Sequence, residues 1–141
     1  MLEKLLIATD GSDTASEAVE HGLDLAETCD AEVHVLYVVE TEATYLLTVG
    51  VSDEEMDEYR QHGEVIVTEV VEQAEKRELE GVGVVKTGSV AQEIVDYAET
   101  EGVDGVVVGE RGRGTLERYL GSNAEKVVRL CSTPVTVVRA A

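Results

Sequence analysis

A chain of 141 residues, 43% of them hydrophobic, has the size and composition of one globular domain with its own core. Its 30 acidic and 11 basic residues give a net charge of −19, which repels phosphate backbones and anionic lipid and argues against nucleic-acid or membrane partners. No run reaches the roughly 18 apolar residues of a membrane span, and Met1–Ile7 lacks the layout of a signal peptide, so a cytoplasmic location is expected.

The chain reads as alternating strands and helices without repeat, low-complexity tract or linker, so residues 1–141 form a single domain. Leu5–Thr9 is a short apolar run ended by Asp10-Gly11-Ser12, which suits a strand buried on both faces. Ala15, Ala18, Val19, Gly22, Leu23 and Ala26 then recur at helical spacing, with Ser12, Asp13 or Thr14 as N-cap. Val33–Val39 is the second strand. A polar stretch, Glu40–Glu55, leads into a long helix carrying Ile66, Val67, Val70, Val71 and Ala74. Val82–Val85 is a third strand closed by Thr87-Gly88, and Ser89–Gln92 has the capping-box pattern that opens a helix bearing Val90, Ile94, Val95 and Ala98.

Gly105–Val108 is the most apolar strand, and a glycine-rich loop follows it. Leu120, Ala124, Val127, Val128 and Cys131 mark the stripe of a last helix, and Pro134 precedes the fifth strand, Val135–Val138. Cys29 and Cys131, each alone in a helical pattern, read as buried free thiols. Five strands with crossover helices predict an α/β fold, a doubly wound five-stranded parallel sheet with helices on both faces. Ligands bind such sheets beyond the carboxyl ends of the strands, where the strand order reverses.

The charge is uneven. Between Gly109 and Arg129, Arg111, Arg113, Arg118, Lys126 and Arg129 outnumber Glu110, Glu117 and Glu125, so this window alone is net positive. It holds Gly109-Glu110-Arg111-Gly112-Arg113-Gly114 and then Gly121-Ser122-Asn123-Ala124-Glu125. Glycines allow the backbone to approach a phosphate chain closely and to adopt positive φ. Ser122 and Glu125 form a second capping-box pattern, placing a helix N-terminus, with its free N–H groups and positive dipole end, at Ser122. Strand end, glycines, local charge and helix start together predict an anion site.

A glycine, two residues, a second glycine and, after a spacer, Gly-Ser resembles the nucleotide loop of ATP-binding universal stress proteins. The resemblance covers the whole chain. Ile7-Ala8-Thr9-Asp10-Gly11-Ser12 is similar to that family's first strand and turn, Val33–Val39 to its second strand, and Ser132-Thr133-Pro134-Val135-Thr136-Val137-Val138 to its closing strand. It implies a Rossmann-like, nucleotide α-hydrolase-like fold and ATP or another adenine nucleotide; a divalent ion, Mg²⁺ or Mn²⁺, is expected beside the phosphates because Asp10 and the acidic surroundings would otherwise repel a tetra-anion. Residue by residue, it implies Ala8, Thr9 and Asp10 near base and ribose, and Val38 on adenine. Val108, Gly109 and Gly112 would line ribose and phosphates, with Arg113 and Gly114 in the same loop, and Gly121, Ser122 and Asn123 would hold the phosphates. It further implies a homodimer joined through the last strand. The spacer from Arg113 to Leu120 is one residue shorter than is usual in the binding branch, which keeps a second reading open: a dimeric, partner-binding stress protein with a vestigial site.

Rival readings lack residues they need. A flavodoxin-like protein would want aromatic rings for its flavin, and the chain has no Trp or Phe. A response regulator needs an aspartate closing its third strand, where Lys86-Thr87-Gly88 stands. A nucleotide α-hydrolase enzyme needs a serine- and glycine-rich pyrophosphate loop after the first strand, and Asp10-Gly11-Ser12-Asp13 is too acidic. No Walker lysine follows the glycines. His21 and His62 read as solvated surface and His34 as packed in its strand, so no catalytic residue is assigned, and any ATP hydrolysis is expected to be slow.

With only four lysines, the composition is that of a salt-adapted protein. Repulsion between exposed carboxylates reaches about 10 Å at 0.1 M salt and about 3 Å at 1 M. The melting temperature should therefore rise steeply from low to molar salt. A flat profile in differential scanning calorimetry would remove the salt-adapted reading.

Overall fold

The computed structural model describes residues 2–40, 52–110 and 122–139. In chain order the elements are β1 (Lys4–Ala8), α1 (Asp13–Cys29), β2 (Glu32–Glu40), α2 (Asp53–Lys76), β3 (Gly81–Gly88), α3 (Val90–Glu101), β4 (Gly105–Gly109), α4 (Ser122–Leu130) and β5 (Val135–Val138). The five strands are all parallel in the order β3-β2-β1-β4-β5, the doubly wound α/β fold expected from the sequence. No helix among the described residues is long and apolar enough to cross a membrane.

Both faces of the sheet are covered, so the central strands alternate between two cores. On one face Leu5, Ile7, Val33, Val35, Tyr37 and Val107 pack under α1 and α2. On the other, Leu6, Leu36, Val106 and Val108 pack with Ile94, Ala98, Ala124 and Val127 of α3 and α4. Leu5, Leu6 and Ile7 are at most 1% exposed, which explains why β1 reads as a continuous apolar run. α1 lies close on β1 because Gly22 carries no side chain: a Cβ there would sit 2.7 Å from Ile7 Cδ1.

The helix starts are chemically marked. Ser12 Oγ accepts from the Ala15 N–H at 3.1 Å, so Ser12 is the cap among the three candidates. Ser52 Oγ accepts from the Glu55 N–H at 3.2 Å, which starts α2 at Asp53, at the end of the polar stretch Glu40–Glu55. At the other end of α2, the Arg77 guanidinium donates to Asp24 Oδ1 (2.7 Å), Glu20 Oε1 (2.9 Å) and Glu27 Oε1 (3.4 Å), gathering three carboxylates of α1. These contacts raise its pKa, the Asp24 hydrogen bond most of all.

Four expectations are corrected. Ser89 stands at the N-cap of α3, but its side chain makes no cap bond; its carbonyl accepts from the Glu93 N–H instead. Cys29 is exposed, because it ends α1 where Asp30 turns the chain at φ 53°. Cys131 is free and half-buried, one residue past α4. Val128 is 47% exposed, since α4 turns Ala124 and Val127 to the core.

His34 is buried in β2, with Nδ1 2.5 Å from the Tyr97 hydroxyl and Nε2 3.1 Å from Glu32 Oε2. The carboxylate can only accept, so a neutral ring carries its proton on Nε2 and accepts the Tyr97 O–H at Nδ1. Burial, with Glu101 and Glu32 nearby, pushes the Tyr97 phenol up to about 12. Tyr97→Phe should cost about 1–3 kcal/mol in urea unfolding, because buried Nδ1 loses its donor. A phenol with a raised folded value holds its proton more tightly when folded. Its contribution is complete below its ordinary value of about 10 and is lost as pH rises from there through the folded value. The stability gap between wild type and Tyr97→Phe should therefore narrow across that window; a constant gap would mean that the phenol titrates alike in both states.

Candidate functional site

The strand order reverses at β1. From there the chain runs outward through β2 and β3 on one side and through β4 and β5 on the other. The register aligns Ile7 with Val107 and Ala8 with Leu36, so the carboxyl ends of β1, β2 and β4 finish side by side. Ala8, Thr9 and Asp10 therefore stand between Val108 and Gly109 of β4 and Val38 of β2. The six residues come together because of topology; nothing in their sequence spacing requires it.

Ala8 and Val38 are half-buried and pack against the core that contains Val108. They give the α3 and α4 side of the site an apolar floor. Thr9 extends β1 by one ladder bond, its N–H donating to the Leu36 carbonyl at 3.0 Å, and is 8% exposed. Its hydroxyl accepts from the Gly11 N–H at 3.1 Å, and Asp10 Oδ1 accepts from the Ser12 N–H at 2.9 Å. Two side chains thus fix the turn that follows β1. Gly11 completes it at φ +77°, where a Cβ would also lie 2.5 Å from Ile66 Cδ1. The turn delivers the chain to Ser12, so the N-terminus of α1 opens at the same end of the sheet.

Gly109 closes β4 opposite Val138. It is not among the glycines with positive φ, so the left-handed conformation is not what this position requires. Glu110 follows it, 7% exposed, with its N–H on the Val138 carbonyl at 2.8 Å and a carboxylate oxygen 3.8 Å from Arg139 Nη1. Nothing local in the sequence signals the burial of Glu110, which comes with its main-chain bond to Val138 of β5.

Ser122 and Asn123 begin α4, both exposed. Ser122 is the first described residue of α4, and among the described residues no hydrogen bond joins it to Glu125. Glu125 pairs with Arg129 at 3.3 Å, so one of the basic residues in the positive window serves α4 itself. Gly112, Arg113, Gly114 and Gly121, with Arg111 and Arg118, lie outside the described residues.

The described part of the site offers an apolar strip at strand ends, a hydrogen-bonded turn and two helix starts. That combination suits a planar heterocycle carrying an anionic tail. Among the described residues, no three His, Cys, Asp or Glu side chains are grouped to hold a metal ion. His21 and His62 are exposed on α1 and α2, and His62 meets the ring of Tyr37 edge-on at 6.2 Å between centroids. His34 is committed to Tyr97 and Glu32 in the first half of β2.

Known proteins place this geometry in a family. The universal stress protein family matches residues 1–139. Universal stress protein MJ0531 of Methanocaldococcus jannaschii is 36% identical over 141 residues, covering 99% of this chain and 83% of that protein. The solved structure of MJ0577, from the same organism, superposes with a TM-score of 0.88 at 27% identity, over 100% of this chain and 98% of that one. Two more distant structures share the fold. One is a universal stress protein in complex with cAMP (TM-score 0.72, 21% identity, 99% and 98% covered). The other is the universal stress protein from Archaeoglobus fulgidus in complex with dAMP (TM-score 0.67, 17% identity, 97% and 97% covered). From the first strand to the last, the chain belongs to the universal stress protein family.

Proposed function

We propose that this protein binds an adenine nucleotide, ATP in the first instance, at the carboxyl ends of β1, β2 and β4, and acts in the cytoplasm as a nucleotide-dependent stress-response protein. The observation that carries this reading is the reversal of strand order at β1, which gathers Ala8, Thr9, Asp10, Val38, Val108 and Gly109 at one edge. The solved relatives that hold cAMP and dAMP support it, since both ligands contain adenine.

In this reading the adenine ring lies on Ala8, Val38 and Val108, where burial contributes about 25 cal/mol per Å² of apolar surface. Thr9 and Asp10 face base and ribose from the fixed turn. Gly109, with no side chain in the way, lets the ribose and phosphates cross β4. Ser122 and Asn123 then offer the unsatisfied N–H groups of the first turn of α4 to the phosphates. Gly112, Arg113, Gly114 and Gly121 complete the loop in the family pattern. Mg²⁺ or Mn²⁺ would arrive on the phosphate oxygens, which would supply most of its ligands and offset the repulsion between ATP and so acidic a surface.

A homodimer through β5 belongs to the same proposal. β5 is an edge strand whose four residues are all half-buried, and α4 beside it exposes Val128 and Leu130. A second copy paired along β5 would cover an edge that is otherwise an aggregation hazard. Sedimentation in molar salt should give a dimer, and a clean monomer at micromolar concentration would refute this assembly.

Calorimetric titration of ATP with Mg²⁺ in molar salt tests the binding reading. The wild type should bind. Gly121→Val should be the most damaging change, because it sets a β-branched side chain where backbone must meet phosphate. Val38→Glu should weaken binding by tenfold or more, since it buries a carboxylate against adenine, at a cost of about 1–3 kcal/mol or more. Undetectable binding by the wild type at millimolar ATP would favour the vestigial-site reading, in which the short spacer from Arg113 to Leu120 has disabled the loop.

A further inference from the structure

The opposite edge of the sheet carries a second surface, on the outer side of β3, whose last residues pair with Val38 and Val39 of β2. Among the described residues β3 is an edge strand of eight residues, paired only with β2. The Val33 N–H donates to the Glu80 carbonyl at 2.8 Å, so the main-chain groups of alternate residues from Glu80 onward point to β2. Those of Gly81, Gly83, Val85 and Thr87 therefore point outward, and among the described residues no strand pairs with them.

Side chains on this edge form a groove against α3. Val84 packs on the α3 core, and alternation puts Val82, which is 40% exposed, and Lys86 on the same face. Beside them lies a cavity of about 140 Å³ lined by Lys86, Glu93, Asp96, Tyr97, Thr100 and Glu101. Glu93, Asp96 and Glu101 are the carboxylates that α3 contributes to this lining. Among the described residues none of these three carboxylates has a Lys, Arg or His partner within 4.0 Å, whereas Glu20, Asp24 and Glu27 on α1 share Arg77.

We infer that the β3 edge and the α3 groove dock an extended, basic segment of a partner protein by strand addition. Strand addition takes affinity from main-chain pairing and specificity from alternate side chains. Here the outward N–H and C=O groups of Gly81, Gly83, Val85 and Thr87 would pair with the incoming backbone. Small apolar side chains would fit Val82 and Val84, and Lys or Arg side chains would reach Glu93, Asp96 and Glu101. Charge selects the occupant. A second copy paired at this edge would bring these same carboxylates face to face, and like charges across a strand pair are destabilising. A nucleic acid is repelled by the same groups.

The test uses ¹⁵N-labelled protein and the end-blocked peptide Lys-Thr-Val-Thr-Val-Thr-Lys, in which alternation sets both Val and both Lys side chains on one face, with its Lys-to-Glu counterpart as control. The basic peptide should slow hydrogen exchange of the Gly81, Gly83, Val85 and Thr87 amides by about tenfold or more at saturation, and the acidic one should not. Val85→Pro removes one outward donor without touching the ladder to β2, since proline is tolerated where an edge N–H faces solvent. It should weaken the peptide by about tenfold. The double variant Glu93→Lys, Asp96→Lys leaves the backbone alone and should also weaken it, even if Val85→Pro proves unstable. Protection spread over the acidic face of α2, equal binding by the charge-reversed variant, or no protection at millimolar peptide would overturn the proposal. So would slowed exchange at this edge without peptide that depends on protein concentration, because that would make the occupant a second copy.

Discussion

The burial of β1 on both faces is the constraint on which the rest of the fold hangs. Leu5 and Ile7 fill one core while Leu6 fills the other, and β2 and β4 close on either side of the strand. A strand so placed can have its ends only at the rims of the sheet. Its carboxyl end must also be the point from which the connections diverge, and that divergence opens the crevice between helix starts. The crevice holds Ala8, Thr9 and Asp10 for the same reason that Leu5, Leu6 and Ile7 are inside.

Local chemistry then finishes what topology begins. The turn after β1 is held by Thr9 and Asp10 accepting from Gly11 and Ser12, and Ser12 in turn caps α1. Residues implied to meet a ligand are therefore also those that hold the scaffold still, and preorganisation of this kind lowers the ordering cost of binding. Electrostatics works against the site on the scale of the whole molecule, because a net charge of −19 repels a polyphosphate. In the proposed site the N–H groups at helix starts would act at contact distance, whereas the longer-range repulsion is screened by salt, and this is why molar salt suits the binding experiment.

Much of this was legible in the sequence because it is written at short range. The apolar run of β1, the 3.6-residue stripe from Ala15 to Ala26 and the turn residues Asp10-Gly11-Ser12 each express one physical requirement within a few positions. What was not legible depends on residues far apart. The pairing of His34 with Tyr97 spans 63 positions, and neither residue signals the other. The capture of three α1 carboxylates by Arg77 depends on how two helices cross. Cys29 and Val128 fit apolar stripes on paper, but the first falls where its helix ends and the second beside the stripe, so both are exposed. The site was legible only through a family resemblance; what the fold adds is that topology brings Ala8, Thr9, Asp10, Val38, Val108 and Gly109 together. The loop half, Gly112 to Gly121, falls outside the described residues.

The central claim is that the reversal at β1 makes an adenine-nucleotide site. The most direct measurement is a titration of ATP with Mg²⁺ into ¹⁵N-labelled protein in molar salt, following each backbone amide. The account predicts that the largest shifts fall on Thr9, Asp10, Val38, Gly109, Ser122 and Asn123, with those of β3 and the middle of α2 nearly still. Shifts centred on any other part of the chain, or none at millimolar nucleotide, would contradict it.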